Sequence, residues 1–76
     1  MSSAFNHSLV PLGRQLRQMK QEELARLSRI TQGHLSKIEN GLTDPSEDVL
    51  GKISTALDLP EDFFRQTDRA LYELFS

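Results

Sequence analysis

The chain has no cysteine. That excludes a disulfide staple and a thiolate metal site, and it fits a reducing cytosol. No apolar run approaches the roughly 18 residues a bilayer span needs, and no secretory leader pattern opens the sequence. The expectation is therefore a soluble, cytoplasmic protein with no membrane partner. Strand-like alternation, internal repeats and low-complexity tracts are missing too, which makes the reading all-α. There is also no nucleophile–base arrangement, metal-ligand cluster or glycine-rich phosphate loop. Ser36 and His34 are near neighbours without a third partner, and His7 and His34 stand far apart. No catalytic residue, metal or cofactor is assigned, and an enzyme is the least supported class.

What is present is one small domain's worth of chain. At 76 residues a fold buries only roughly 60% of the surface its unfolded form exposes. The net charge of −2 speaks against a polyanionic partner, but its distribution speaks for one. Residues 1–38 carry six basic groups against two acidic ones, a net +4, whereas residues 39–76 carry three against nine, a net −6. One side can meet phosphates while the other stays away from them. Ordinary solvated surface is the competing reading of both halves.

Along the chain, residues 1–7 read as a loose arm. Leu9, Leu12 and Leu16 predict a helix over about 8–17, with Pro11 confined to its first turn. Leu24, Ala25 and Leu27 mark one face of a second helix over 21–28, and Leu35 and Ile38 one face of a third over 32–40. Ile30 plugs the connection, and Gly41 stops the third helix at a left-handed residue. Two short helices crossing over a tight turn, the second opened by small polar residues, make a unit that fits a DNA major groove. Asp44 as cap, Pro45 in the first turn and Glu47 reaching back predict the start of a fourth helix. Val49, Leu50, Ile53 and Leu57 are its inward stripe, and Gly51 weakens it by about 1 kcal/mol relative to alanine. Pro60 opens a fifth helix carrying Phe63 and Phe64. Residues 67–76 read as an amphipathic C-terminal segment, the expectation being a short further helix with Leu71, Leu74 and Phe75 on one side.

The runs Gln21-Glu22-Glu23-Leu24-Ala25 and Leu35-Ser36-Lys37-Ile38-Glu39-Asn40-Gly41, followed by Pro45-Ser46 and Leu57, carry a resemblance. From Leu9 to Phe64 the chain resembles the lambda-repressor-like, Cro/CI-type (XRE-family) helix-turn-helix proteins. The resemblance implies a five-helix helix-turn-helix domain over residues 8–66. Leu59 to Phe64 is similar to a subgroup in which a metallopeptidase domain follows. No HExxH motif occurs here, so a missing C-terminal domain is one expectation to carry.

By the same resemblance, the helix from Gln32 is the recognition helix, with Gln32, Gly33 and Lys37 at base-contacting positions. The Gln32 amide can pair with adenine and Lys37 can donate to guanine, while Gly33 offers only backbone. Gln21 and Asn40, with Thr43 in the loop beyond Gly41, are implied phosphate contacts, and Arg14, Arg17, Lys20 and His34 are further candidates. For His34 an exposed ring without partner competes evenly. Arg14 and Glu39 match an ion pair tying the first helix to the end of the third. Arg29 departs from the pattern, since that turn position usually holds glycine.

Function follows as an expectation. The chain is a sequence-specific double-stranded-DNA-binding transcriptional regulator acting as a homodimer on a two-fold-symmetric operator. A repressor, a restriction–modification controller and an antitoxin with a protein toxin as second partner all fit this length. Phe63, Phe64, Leu71, Leu74 and Phe75 are the candidate dimer surface, because an exposed apolar stripe is costly unless covered. The alternative is a protein-interaction module of the same fold with weak or no DNA binding. Net acidity, Gly33 and Arg29 favour it.

Overall fold

Helical spacing of Leu9 and Val10 starts the fold, and both are fully buried in α1, Leu9–Leu16. Pro11 sits in the first turn of α1, where its missing N–H removes no intrahelical bond. Then follow α2 (Gln21–Leu27), α3 (Gln32–Glu39), α4 (Glu47–Leu57) and a 3-10 turn at Glu61–Arg65. The computed structural model describes residues 5–66. Among them there is no strand, and the fifth helix of the sequence reading is this single 3-10 turn. The expected segment 67–76 lies outside the described residues.

α2 packs against both α3 and α4, and α1 crosses α2 and α3. Leu24, Leu35, Ile38, Ile53, Leu57 and Phe64 have no exposed surface and form the centre of the core. Phe64 meets Phe63 edge-on at 5.1 Å between ring centroids and stacks near Phe5 at 6.4 Å. Gly13 lets α1 approach α4, since a Cβ there would lie 3.1 Å from Leu57 Cδ1. Two apolar positions depart from their expected faces. Leu16 is 49% exposed and Leu27 45% exposed, so Val10 rather than Leu16 completes the inward side of α1.

Of the residues read as a loose arm, Phe5, Asn6 and His7 are held against the domain. Phe5 packs on the core, the Asn6 N–H donates to the Phe64 carbonyl at 2.6 Å, and Asn6 Nδ2 donates to the Gln66 carbonyl at 2.7 Å. The His7 Nδ1–H donates to the Glu39 carbonyl at 2.9 Å. These bonds close the two ends of the domain onto one another.

α4 begins later than Asp44-Pro45 suggested. Ser46 is the cap, with Oγ accepting from the Val49 N–H at 3.2 Å. Pro45 precedes it, where its missing N–H costs no helix bond, and Glu47 and Asp48 place negative charge in the first turn. Val49, not a glutamate or glutamine, occupies the third helical position, so the expected capping box does not form.

Each of the four helices ends in the same wrapped motif. One residue is left-handed, and its N–H and the next return to the last turn's carbonyls. Only α3 uses glycine for it, Gly41 at φ +76; the others use Gln18, Arg29 and Asp58 at φ +54, +59 and +55. Left-handed backbone costs a residue with a Cβ roughly 1–2 kcal/mol, and glycine returns part of that gain through unfolded-chain entropy, about 0.4–1 kcal/mol. Arg29→Gly is therefore expected to stabilise the fold by about 0.5–1 kcal/mol, read as a raised midpoint in urea melts with unchanged slope. A lowered midpoint would show that the Arg29 side chain contributes more than its backbone costs.

Candidate nucleic-acid interface

The turn from Ser28 to Thr31 fixes how α3 leaves α2. The Ile30 N–H returns to the Ala25 carbonyl at 3.0 Å, and the half-buried Ile30 side chain packs on the core. Thr31 then caps α3, its Oγ1 accepting from the His34 N–H at 3.0 Å. A threonine cap of this kind stabilises by about 1 kcal/mol relative to alanine. Leu35 and Ile38 anchor the inner face of α3 with no exposed surface. Gln32, Gly33 and Lys37 are exposed on its outer face. Nothing lies within 4 Å of a Cβ built on Gly33, so open space surrounds that position.

Beneath that face runs a connected set of side chains. Arg14 Nε donates to Glu39 Oε2 at 2.8 Å and Arg14 Nη2 to Glu39 Oε1 at 3.0 Å, a forked pair largely withdrawn from solvent. Gln21 Nε2 donates to Glu39 Oε1 at 3.0 Å, and Gln32 Nε2 donates to Gln21 Oε1 at 3.1 Å. The first helix, the end of α3 and both openings of the α2–α3 unit are thus joined.

Besides Gln21, which gives one N–H to Glu39, three of the expected phosphate donors are engaged elsewhere. Arg14 gives two N–H groups to Glu39 and a third, from Nη1, to the Met19 carbonyl at 3.3 Å. Arg17 caps the end of α4, with Nε on the Leu57 carbonyl at 2.7 Å and Nη2 on the Asp58 carbonyl at 2.9 Å. Asn40 turns back on its own helix, Nδ2 bonding the Ser36 carbonyl at 2.9 Å and Oγ at 3.3 Å. Free carbonyls at the end of α4 attract the Arg17 guanidinium, whereas the Glu39 carboxylate takes Arg14 and the last turn of α3 takes Asn40. Lys20, Arg26, Arg29 and Lys37 remain as cations of the basic half with no ion pair among the described residues. His34 is half-buried and Thr43 half-buried in the loop after α3. For neither side chain does a donor bond occur among the described residues, apart from the His34 backbone at its cap.

Sequence reasoning missed His7, whose imidazole bonds the last carbonyl of α3 and lies against Gly41. A lone histidine ahead of a helix gives no sign of a partner 32 residues away. Phe64 leaves the expected dimer surface, because it is fully buried within this protomer's core, while Phe63 is half-buried. Leu71, Leu74 and Phe75 fall outside the described residues. Among the described residues no cluster of three metal-ligating side chains occurs, and no helix is long and apolar enough to cross a membrane.

A helix-turn-helix family model matches residues 13–64. The DNA-binding domain of the P22 C2 repressor superimposes with a TM-score of 0.78 at 20% identity, over 90% of both chains, a likeness of fold. The clp gene regulator ClgR from C. glutamicum is similar at 27% identity and a TM-score of 0.69, over 72% of this chain and 71% of that one. PlcR from Bacillus thuringiensis, in complex with the peptide PapR7 and DNA, is similar at 29% identity and a TM-score of 0.74. That match covers 91% of this chain but 26% of PlcR. Among curated proteins no sequence match is found.

Proposed function

This chain belongs to the XRE-type helix-turn-helix family, and from that premise we propose that it binds double-stranded DNA as a transcription regulator. α3 lies in the major groove, with Gln32 and Lys37 reading base edges and Gly33 allowing close backbone approach. The observation that carries this reading is the outer face of α3. Gln32, Gly33 and Lys37 are exposed there, on a helix whose inner face and both ends are pinned. Gln21 and Lys20 at the opening of α2, with His34 and Thr43, contact phosphates. Arg14, Arg17 and Asn40 hold helices in place through bonds within the domain.

Two copies bind a two-fold-symmetric operator, with half-sites roughly 10 base pairs centre to centre. The acidic second half keeps the dimer side away from phosphates, and Phe63 together with Leu71, Leu74 and Phe75 supplies the apolar contact. A repressor, a restriction–modification controller or an antitoxin with a toxin partner all use this chemistry, and the operator's neighbourhood distinguishes them.

The test is selection from a random duplex pool at moderate salt, followed by a salt titration on the enriched site. A palindromic site whose affinity falls steeply with salt supports the reading. A folded protein that enriches nothing overturns it and turns attention to protein partners. On the selected site, Lys20→Ala should lower the salt slope by about 1 and leave base preference unchanged. A changed preference at any one base would remove Lys20 from the phosphate contacts.

A further inference from the structure

We infer that the groove between the end of α2 and the outer face of α4 is a self-association surface, filled by the same groove of a second copy of this chain. This face is separate from the outer side of α3 and from the residues assigned above to the dimer, so it adds a second contact between copies.

Two residues of the groove go against what the fold alone favours. Arg29 holds the left-handed backbone of the α2–α3 turn at φ +59, where glycine would be free of strain. Gly51 stands inside α4, where alanine would hold the helix better. Neither choice is needed within the protomer. The exposed Arg29 side chain makes no ion pair or hydrogen bond among the described residues. A Cβ on Gly51 would meet only Glu61 Oε2, at 3.4 Å, an ordinary van der Waals separation. Both residues line one groove of about 730 Å³. A strained residue and a helix-weakening one that meet in one groove point to a contact made outside the protomer.

Charge decides what makes that contact. Arg29 and Leu27, which is 45% exposed, form one wall of the groove. α4 and Glu61 form the other, where Asp48 already pairs with Lys52 at 3.1 Å. Glu47 and Glu61 have no ion pair among the described residues. The groove thus sets an unpaired cation on one side of Gly51 and Ala56 and unpaired carboxylates on the other. A partner of one sign would match one wall and be repelled by the other, and a neutral apolar ligand would leave both unmatched. A second copy turned about a two-fold axis matches both, because every contact in such an interface occurs twice with roles exchanged. Arg29 of each copy meets Glu61 of the other, and each Leu27 enters the notch that the other copy's Gly51 leaves. Charges at a rim fix orientation and exclude wrong partners more than they add affinity, so the association is weak and reversed by dilution. No groove residue is among the base or phosphate contacts proposed above, so the groove contact itself covers neither α3 face.

The test begins with amide NMR spectra of the full chain over a wide range of protein concentration. The Leu27, Gly51 and Ala56 signals should move with concentration. Signals there that stay fixed overturn the proposal, whether the groove is then empty or covered by residues 67–76 of the same chain. By sedimentation equilibrium, Arg29→Glu and Glu61→Lys should each weaken this association at least about tenfold, since like charges then meet twice. Mixed in equal amounts, the two variants should associate as the wild type does, because each supplies the charge the other has lost. Gly51→Leu fills the notch and favours the helix, so it should weaken association by a similar factor while the fold melts no earlier. A mixture no better than either variant alone, with both shown folded by circular dichroism, would overturn the two-fold contact, as would a Gly51→Leu protein that associates like the wild type. Should a charge variant fail to fold, the wild-type spectra decide. Failure of the dimer proposed above is a different result, since it concerns an association step that Arg29→Glu leaves unchanged.

Discussion

Replacing Phe64 by alanine is expected to lower stability by about 3–5 kcal/mol, by the same amount at every protein concentration. The ring is fully buried and is a large side chain at the centre of the core. It is held edge-on by Phe63 and stacked near Phe5, so truncation removes its own burial and loosens two neighbours. Its backbone carbonyl also receives the Asn6 N–H that closes the N-terminal segment. A domain of this size holds roughly 5–15 kcal/mol in total, and each kcal/mol moves the melting point by about 4–8 °C. The effect should therefore be plain in thermal melts. Repeating those melts over a hundredfold range of concentration separates core from interface. A loss that shrinks as protein is added would return Phe64 to a dimer surface.

The parts of this molecule legible in sequence are those decided by near neighbours. The turn between α2 and α3, Gly41 as a stop and the inward stripe of Leu50, Ile53 and Leu57 all rest on residues within two turns of one another. Ser46 against Asp44 shows the limit even there. Both are good caps, and choosing between them needs the packing of the whole helix, which local chemistry does not contain. Gln18 and Asp58 end helices in left-handed backbone although nothing in their type demands it. The next residues, Met19 and Leu59, are apolar and half-buried against the core, and that burial offsets the strain.

The exposure of the outer face of α3 was legible in the sequence, and the bonds beneath it were not. That Gln32, Gly33 and Lys37 read bases is what the family resemblance implies; the structure places them exposed opposite Leu35 and Ile38. Arg17 could not be separated from a phosphate donor, because the carbonyls that take its guanidinium are 40 and 41 residues away. Asn40 fails for the opposite reason. Its partner Ser36 is one turn back, and a back-bonded amide and a free one look the same in sequence. Charge counts mislead in the same manner. The basic half owes part of its excess to Arg14 and Arg17, which serve a carboxylate and helix-end carbonyls.

Glu39→Ala is expected to cost about 3–5 kcal/mol, because removing one member of a withdrawn ion pair strands the other. The side chains of Arg14 and Glu39 are 19% and 6% exposed, so water reaches the guanidinium in part and the lower end of that range is expected. Three donor bonds lose their acceptor at once, two from Arg14 and one from Gln21. Attraction and lost hydration nearly cancel in such pairs, and replacing both members by apolar groups is often neutral. The double variant Arg14→Met with Glu39→Met should accordingly recover most of the stability lost in Glu39→Ala, measured by urea melts. A double variant no more stable than Glu39→Ala would show that the forked pair contributes more attraction than its lost hydration costs.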